Sequence, residues 1–132
     1  MHLPPCLPSS TIRVITPGSA VADPDRLTAG LAQLRQAGFT IQPVREVQLP
    51  HPYLAGTDAE RLAELNEALT DPEIDAIFCA RGGYGALRIL ANIDYAAARR
   101  HPKLLIGYSD VTALQMALYT QIGHPTITGP LV

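Results

Sequence analysis

The stretch Lys103–Leu118, KLLIGYSDVTALQMAL, decides the fold because it changes from strand to helix within a few residues. Leu104 to Ile106 form an apolar run typical of a buried strand, and a helical pattern begins directly at Asp110. With so few residues between the two elements, the chain must turn sharply at Ser109. Such a turn lifts one side chain above the edge of a sheet and directs the first N–H groups of the helix toward it.

Two functions are open to Ser109 on this motif alone. It can be the nucleophile of an acyl transfer, with the N–H of Asp110 as an oxyanion donor. Alternatively, its hydroxyl is only a helix N-cap, and Asp110 only complements the helix dipole. Val111 stands where α/β-hydrolases carry the second glycine of G-x-S-x-G, so that signature is absent.

A glycine-rich segment, Arg81-Gly82-Gly83-Tyr84-Gly85, follows the apolar strand predicted at Ala76–Ala80. Closely spaced glycines can expose backbone N–H groups to an anion. The segment is therefore a phosphate site, a second oxyanion donor facing Ser109, or a tight turn that simply needs glycine. Neither the dinucleotide-binding nor the P-loop glycine pattern is present. Arg81 is either a substrate anchor or a structural or surface arginine.

Strands alternate with helices along the chain, which predicts an α/β fold. We expect a doubly wound, mainly parallel sheet with helices on both faces, the three-layer flavodoxin-like arrangement. Because the carboxyl ends of parallel strands share one edge, Pro17–Ala20, the Arg81–Gly85 loop and Ser109 should meet there. The strands are predicted at Thr11–Thr16, Phe39–Val44, Ala76–Ala80, Leu104–Ile106 and Pro125–Thr128.

Helix boundaries are marked by Asp23-Pro24, an N-cap followed by proline, and by Thr57 with Glu60, a capping box. A short helix is predicted at Ala86–Leu90 and another at Ala96–Arg100. The helix after Ser109 is apolar nearly all round, which predicts that it is buried. Leucines at helical spacing predict core stripes on the first two helices: Leu27, Leu31, Leu34, Leu62, Leu65 and Leu69.

The bulk composition fits one soluble domain, since 132 residues with 47% hydrophobic content can bury a sizeable core. A formal net charge of −2 provides no electrostatic attraction for nucleic acid or an anionic membrane. No apolar run approaches the length of a membrane span. Cys79 is predicted to be a core residue rather than half of a disulfide with Cys6. These features favour a cytoplasmic protein.

Several segments, in their order and spacing, resemble the LD-carboxypeptidase family of serine peptidases, which includes muramoyltetrapeptide carboxypeptidase and the microcin-immunity peptidases. The resemblance implies that Ser109 is the nucleophile and that the N–H of Asp110 is an oxyanion donor. It implies a second donor in the Gly82-Gly83 backbone. The segments that carry it are Val14–Pro17, Ala80–Gly85, Ile93-Asp94, Pro102–Leu114 and Gly129-Pro130.

The resemblance also implies an activity and a substrate class. Such enzymes hydrolyse an L-to-D peptide bond, and typically release terminal D-alanine from a peptidoglycan tetrapeptide during cytoplasmic wall recycling. They use no metal and no cofactor, and they are commonly homodimers. We therefore expect a small murein tetrapeptide-like substrate, and no nucleic-acid or membrane partner. The sequence does not separate a wall-recycling enzyme from a microcin-type peptidase.

The sequence departs from the family pattern after the serine. The family has a C-terminal domain that supplies the glutamate and the histidine of a Ser-Glu-His triad. Here Asp110 is the only acidic residue after Ser109, and His124, predicted to be a helix-end cap or surface residue, is the only later histidine. We expect residues 1–132 to be the N-terminal, nucleophile-bearing domain, with the C-terminal domain absent and the isolated chain inactive.

Two other classes of function are compatible with the sequence. The chain can be a stand-alone flavodoxin-like module whose glycine loop binds an anion or a nucleotide, or a purely structural domain. The peptidase interpretation makes a geometric prediction: Ser109 lies on a strained, solvent-accessible strand-to-helix turn beside Gly82 and Gly83. It also predicts an exposed apolar patch near Tyr84, Tyr108 and Leu131-Val132.

Overall fold

The computed structural model describes residues 5–45 and 53–132, and its centre is a parallel sheet. Three short 3-10 turns, at Ala86–Arg88, Leu90–Asn92 and Ser109–Val111, connect the regular elements. In the described residues the strands and α-helices are β1 (Thr11–Ile15), α1 (Pro24–Gln36), β2 (Thr40–Ile41), α2 (Asp58–Thr70), β3 (Ala76–Cys79), α3 (Tyr95–Arg100), β4 (Leu104–Gly107), α4 (Thr112–Ile122) and β5 (Ile127–Thr128).

All the strand pairs are parallel, and the strand order is β2-β1-β3-β4-β5. This is the flavodoxin-like order: β2 is added on one side of β1, whereas β3, β4 and β5 are added on the other side, so the strand order switches between β1 and β3. Ile15 pairs with Cys79, and Phe78 pairs with Ile106, so β1, β3 and β4 end at one edge. The predicted α/β fold class is confirmed, and the segments after these three strands start side by side.

Helices cover both faces of the sheet, unequally. On one face, α2, α3 and α4 pack over the fully buried Ile77 and Leu105. On the other face, α1 packs over Val14 and Ala76. No residue of α1 is fully buried, and its stripe of Leu27, Leu31 and Leu34 is only half-buried. The second face of the sheet is therefore the less completely covered one.

The helix boundaries follow the sequence signals. The Asp23 carboxylate accepts hydrogen bonds from the N–H groups of Asp25 and Arg26, at 3.1 and 3.2 Å. Thr57 and Glu60 form the predicted capping box at the start of α2. These side chains satisfy N–H groups that lack a partner within the helix, which explains why the helices begin there.

Three predictions about elements are wrong in detail. β2 is only Thr40–Ile41, because it lies at the edge of the sheet and pairs with β1 alone. The segment after Gly85 forms two 3-10 turns instead of one helix. α4 is not buried all round: Met116 and Tyr119 are 53% and 62% exposed, since only one side of this helix contacts the sheet.

His124 is also placed differently from the prediction, since it is fully buried rather than at the surface. Its Nε2 accepts a hydrogen bond from the N–H of Lys103 at 3.3 Å, and its Nδ1 donates to the carbonyl oxygen of Pro125 at 2.9 Å. Burial lowers the pKa of its imidazole. Cys79 is buried as predicted, and burial raises the pKa of its thiol.

Candidate active site

Ser109 lies at the turn between β4 and α4 with a backbone φ of +67°. Among the described non-glycine residues, only Ser9 shares this left-handed conformation, which costs L-residues about 1–2 kcal/mol. Ser109 is exposed, and its hydroxyl caps neither the 3-10 turn nor α4. The predicted strained and accessible turn is confirmed, and the N-cap alternative is wrong.

The glycine loop after β3 touches this turn directly. A Cβ atom on Gly82 would lie 3.1 Å from the Cβ of Ser109 and 3.2 Å from the nitrogen of Asp110. It would also lie 3.0 Å from the carbonyl oxygen of Tyr108. Because real Cβ atoms seldom approach so closely, the absence of a side chain at Gly82 lets the two backbones meet.

Backbone N–H groups at this meeting point have no hydrogen-bond acceptor within residues 5–45 and 53–132. They belong to Gly82, Gly83 and Asp110. The loop is nevertheless anchored: the carbonyl oxygen of Gly82 accepts from the N–H of Ser19 at 3.0 Å, and Ser19 Oγ accepts from the N–H of Tyr84 at 3.0 Å. Unpaired N–H groups on an anchored backbone are the geometry that an oxyanion requires.

The segment after β1 completes this edge, as the sequence predicts. Ser19 is fully buried between the glycine loop and the segment that precedes α2. The carbonyl oxygen of Gly18 accepts from the N–H of Ala55 at 3.0 Å, and the N–H of Ala20 donates to the backbone carbonyl oxygen of Tyr53 at 2.9 Å. The loops after β1, β3 and β4 are therefore connected at one edge of the sheet.

Arg81 acts structurally in this arrangement, since its guanidinium donates a hydrogen bond to the carbonyl oxygen of Ala20. The bond joins the end of β3 to the loop after β1. Of the two roles that the sequence left open for Arg81, the structural one is therefore supported by a contact.

Two charged residues of α2 were missed by sequence reasoning. Arg61 is fully buried, and Glu64 is 3% exposed. The Glu64 carboxylate accepts from the N–H and the hydroxyl of Thr16, at 2.9 and 3.1 Å, where β1 ends. An arginine or a glutamate between helix leucines is normally solvent-exposed, so the sequence carried no signal for this burial.

The described histidines lie away from the serine. His101 is the C-cap of α3, at the amino end of β4. His124 bonds to Lys103, which also precedes β4. Ser109 follows the carboxyl end of the same strand, a separation of more than 10 Å at about 3.3 Å per residue. His2 and His51 lie outside the described residues. No cluster of His, Cys, Asp or Glu in the described part of the chain could hold a metal ion.

The surface beside the serine is partly apolar. Tyr84 and Tyr108 are 48% and 53% exposed, as predicted, and Tyr53 is 55% exposed. The prediction was wrong for Leu131 and Val132, which are half-buried. They line a groove of about 1000 Å³ that runs along α1. Ser109, Gly82 and Gly83 are not among the residues that line this groove.

The comparisons with known proteins agree with the sequence motifs. A family model described as the LD-carboxypeptidase N-terminal domain matches residues 12–129. The chain belongs to the LD-carboxypeptidase family. The match contains the turn at Ser109, the glycine loop and the segment after β1. The resemblance stated from the sequence is therefore confirmed at the level of the family.

Curated relatives in this family are named for murein peptides. A probable murein peptide carboxypeptidase of Bacillus subtilis is 42% identical over 122 residues, covering 92% of this chain and 38% of the relative. The murein tetrapeptide carboxypeptidase of Pseudomonas aeruginosa is 39% identical over 121 residues, covering 91% of this chain and 39% of the relative. The chain thus spans about two fifths of the length of these relatives.

Solved structures of the family have the same fold. The microcin C7 self-immunity protein MccF in complex with aspartyl sulfamoyl adenosine superposes with a TM-score of 0.89 at 32% identity. The superposition covers 98% of this chain and 39% of that one. The muramoyltetrapeptide carboxypeptidase of Oxalobacter formigenes gives a TM-score of 0.81 at 33% identity, with 92% and 40% covered. No helix in the described residues has the length and apolarity needed to span a membrane.

Proposed function

We propose that this chain is the nucleophile-bearing N-terminal part of a serine LD-carboxypeptidase that releases D-alanine from murein tetrapeptides. One observation carries the proposal: Ser109 is exposed on a strained turn, directly against the glycine loop, and the N–H groups of Gly82 and Gly83 have no acceptor among the described residues. That combination suits acyl transfer, because an accessible hydroxyl lies beside unpaired backbone N–H groups that can serve as oxyanion donors.

In the proposed reaction, Ser109 Oγ attacks the carbonyl carbon of the bond before D-alanine, and its proton passes to a base. The carbonyl oxygen becomes an oxyanion that accepts hydrogen bonds from the N–H groups of Asp110 and Gly83. Collapse of this intermediate breaks the C–N bond, and the base returns the proton to the departing amine. Water then attacks the acyl carbon while the base takes its proton, and the base returns that proton to Ser109 Oγ as the ester bond breaks. Each oxyanion donor contributes about 10²–10³ in kcat.

The base and its acidic partner are proposed to come from the part of the family's length that this sequence does not span. His124 has both ring nitrogens engaged and is buried, and His101 lies at the far end of β4. A serine without a base is a weak nucleophile at neutral pH. Loss of the histidine costs nearly as much rate as loss of the whole triad. The isolated chain is therefore expected to release no measurable D-alanine.

The test is to join the chain to the remaining C-terminal part of the Bacillus subtilis relative and to assay D-alanine release from a murein tetrapeptide. The hybrid should turn over substrate, and the same hybrid with Ser109→Ala should not. The relative itself, carrying the matching serine substitution, controls for background hydrolysis. Turnover by the 132-residue chain alone, or an inactive hybrid beside an active relative, would refute the proposal.

A microcin-immunity activity is the second candidate, because MccF is also similar in sequence and in fold. MccF of Escherichia coli is 34% identical over 112 residues, against 42% over 122 residues for the murein enzyme of Bacillus subtilis. The higher identity favours the murein substrate. Release of aspartate from aspartyl sulfamoyl adenosine by the hybrid, in preference to D-alanine release from the tetrapeptide, would reverse the choice.

The anion-binding module remains the rival from another class, and direct titration separates it from the peptidase. Nucleotides and phosphosugars should not bind the isolated chain at micromolar concentration. Salt-sensitive micromolar binding that shifts the amide resonances of Arg81–Gly85 would favour the rival. We further propose a cytoplasmic location, a role in wall recycling and a homodimeric assembly, as in the family; sedimentation of the hybrid tests the last of these.

A further inference from the structure

The peptide group between Gly85 and Ala86 is held at both ends by charged side chains. Its carbonyl oxygen accepts a hydrogen bond from Nη1 of Arg61 at 2.9 Å. Its N–H donates to Oδ2 of Asp110, also at 2.9 Å. Asp110 directly follows Ser109, and Arg61 lies on α2. One planar peptide unit therefore connects a helix of the scaffold to the turn that carries the serine.

The guanidinium of Arg61 joins three segments at this point. Besides Gly85, its Nη1 donates to the carbonyl oxygen of Pro17 at 2.6 Å, and its Nε donates to that of Gly56 at 3.4 Å. Asp58, at the start of α2, pairs with Nη2. A guanidinium presents its donors in a rigid plane, so it fixes the relative positions of the carbonyl groups that it bonds.

The surrounding residues are shaped for this contact. Gly85 has a φ of +127°, and a Cβ there would lie 2.8 Å from Nη1 of Arg61. Arg61 is fully buried, and a buried charge is costly unless it is paired and hydrogen-bonded. A well-packed apolar side chain would fill the same volume without that cost. The position therefore points to a requirement for the hydrogen bonds themselves.

We propose that Arg61 and Asp110 are positioning residues that clamp the Gly85–Ala86 peptide and thereby hold the glycine loop against Ser109. The N–H of Asp110 faces the reacting oxygen in the proposed reaction, while its carboxylate anchors the loop that supplies the second N–H, from Gly83. The benefit to catalysis rests on the proposed function. The clamp itself is a property of the isolated chain and can be measured without substrate.

Amide hydrogen exchange, followed by NMR on the isolated chain, tests the clamp. The reporters are the N–H groups of Ser19 and Tyr84, which bond across the loops to Gly82 O and Ser19 Oγ rather than to either clamping side chain. Asp110→Ala should lower their protection at least tenfold relative to the core amides of β3. Asp110→Asn, which keeps an acceptor oxygen, should restore most of it. If only the Ala86 amide loses protection, Asp110 is a simple cap and the proposal is overturned.

Arg61→Lys tests the other side of the clamp, because an ammonium cannot bond the three carbonyl groups in one plane. It should lower the protection of the same reporters at least tenfold relative to the core. Arg13→Lys is the matched control: Arg13 is a partly buried arginine of β1 that bonds Gln42 and Glu67. The control should leave the ratio of loop to core protection within twofold. An equal loss at loop and core amides in Arg61→Lys would mean a merely structural arginine.

A double-mutant cycle makes the prediction specific to a shared peptide. Breaking either end of the clamp frees the same unit, so Arg61→Lys combined with Asp110→Ala should lose little more protection than the larger single effect. Additive losses would mean two independent contacts and would overturn the clamp. If Arg61→Lys does not fold, Arg61→Gln replaces it in the cycle, since its amide keeps a hydrogen-bond donor but lacks the guanidinium plane.

Activity measurements separate this proposal from the proposed function. In an active hybrid enzyme, Asp110→Ala should lower kcat at least tenfold with little change in KM, because the misplaced donors serve the transition state. An inactive wild-type hybrid would end the peptidase proposal, and the exchange data would still decide the clamp. Unchanged kcat together with a loosened loop would overturn the claim that the clamp positions catalytic groups.

Discussion

The strained backbone at Ser109 makes a prediction that needs no substrate. With φ at +67°, a non-glycine residue costs about 1–2 kcal/mol relative to an ordinary conformation. Glycine removes that cost but loses roughly 0.5–1 kcal/mol through the larger entropy of its unfolded chain. Ser109→Gly should therefore stabilise the chain by about 0.5–1 kcal/mol. Ser109→Ala should change stability very little, because the hydroxyl caps no helix.

Equilibrium unfolding in urea measures this difference. With a slope of about 1–3 kcal/mol per molar urea for a domain of this size, the midpoint of Ser109→Gly should rise by a few tenths of a molar. Ser9, at φ +80° in the segment before β1, is the matched control because it shares the conformation but lies outside the site. Ser9→Gly should give a gain of similar size.

The outcome bears on how the nucleophile is presented. If Ser109→Gly is no more stable than Ser109→Ala while Ser9→Gly gains stability, the turn at Ser109 stores no strain. In that case, only the hydroxyl group would explain why this position carries a serine instead of a glycine. If both glycine variants gain stability, the surrounding structure holds Ser109 in an unfavourable conformation, as is common for functional residues.

Three further predictions follow from packing and burial. Gly82→Ala should lower the free energy of unfolding, measured in urea, by about 1–2 kcal/mol, because its methyl group meets backbone atoms of Tyr108 and Asp110. Gly129→Ala is the control: its methyl group meets only side-chain methyl groups, from 3.3 Å, so it should lower the free energy of unfolding by less. The pKa of the buried His124 is lowered, so the unfolded chain binds a proton there more readily than the folded chain. The contribution of His124 to the free energy of unfolding should therefore be constant above about pH 6.5 and decrease as the pH falls below that value. A His124→Gln chain should lose less stability between pH 7 and 5, and equal losses would contradict this. Cys79 should react with a thiol reagent only as fast as the chain unfolds, whereas the partly exposed Cys6 should react in the native state.

Local signals in the sequence were sufficient for the fold class and for the serine turn. The change from an apolar strand to a helix around Ser109 leaves room only for a tight turn, and that constraint is local. The caps at Asp23 and Thr57 are likewise local hydrogen-bond patterns, so they are visible before folding. The order of strands and helices then determined which loops share an edge, because parallel strands end together.

Tertiary structure decided which polar residues became buried and which histidine faces inward. Arg61 and Asp110 are far apart in sequence, and their joint hold on one peptide arises only when α2, the glycine loop and the serine turn pack together. His124 is buried because the chain after α4 returns to the sheet, a path that helix spacing alone does not reveal. Periodicity describes one element at a time, whereas burial of charge depends on partners from several elements, and such partners exist only in the folded chain.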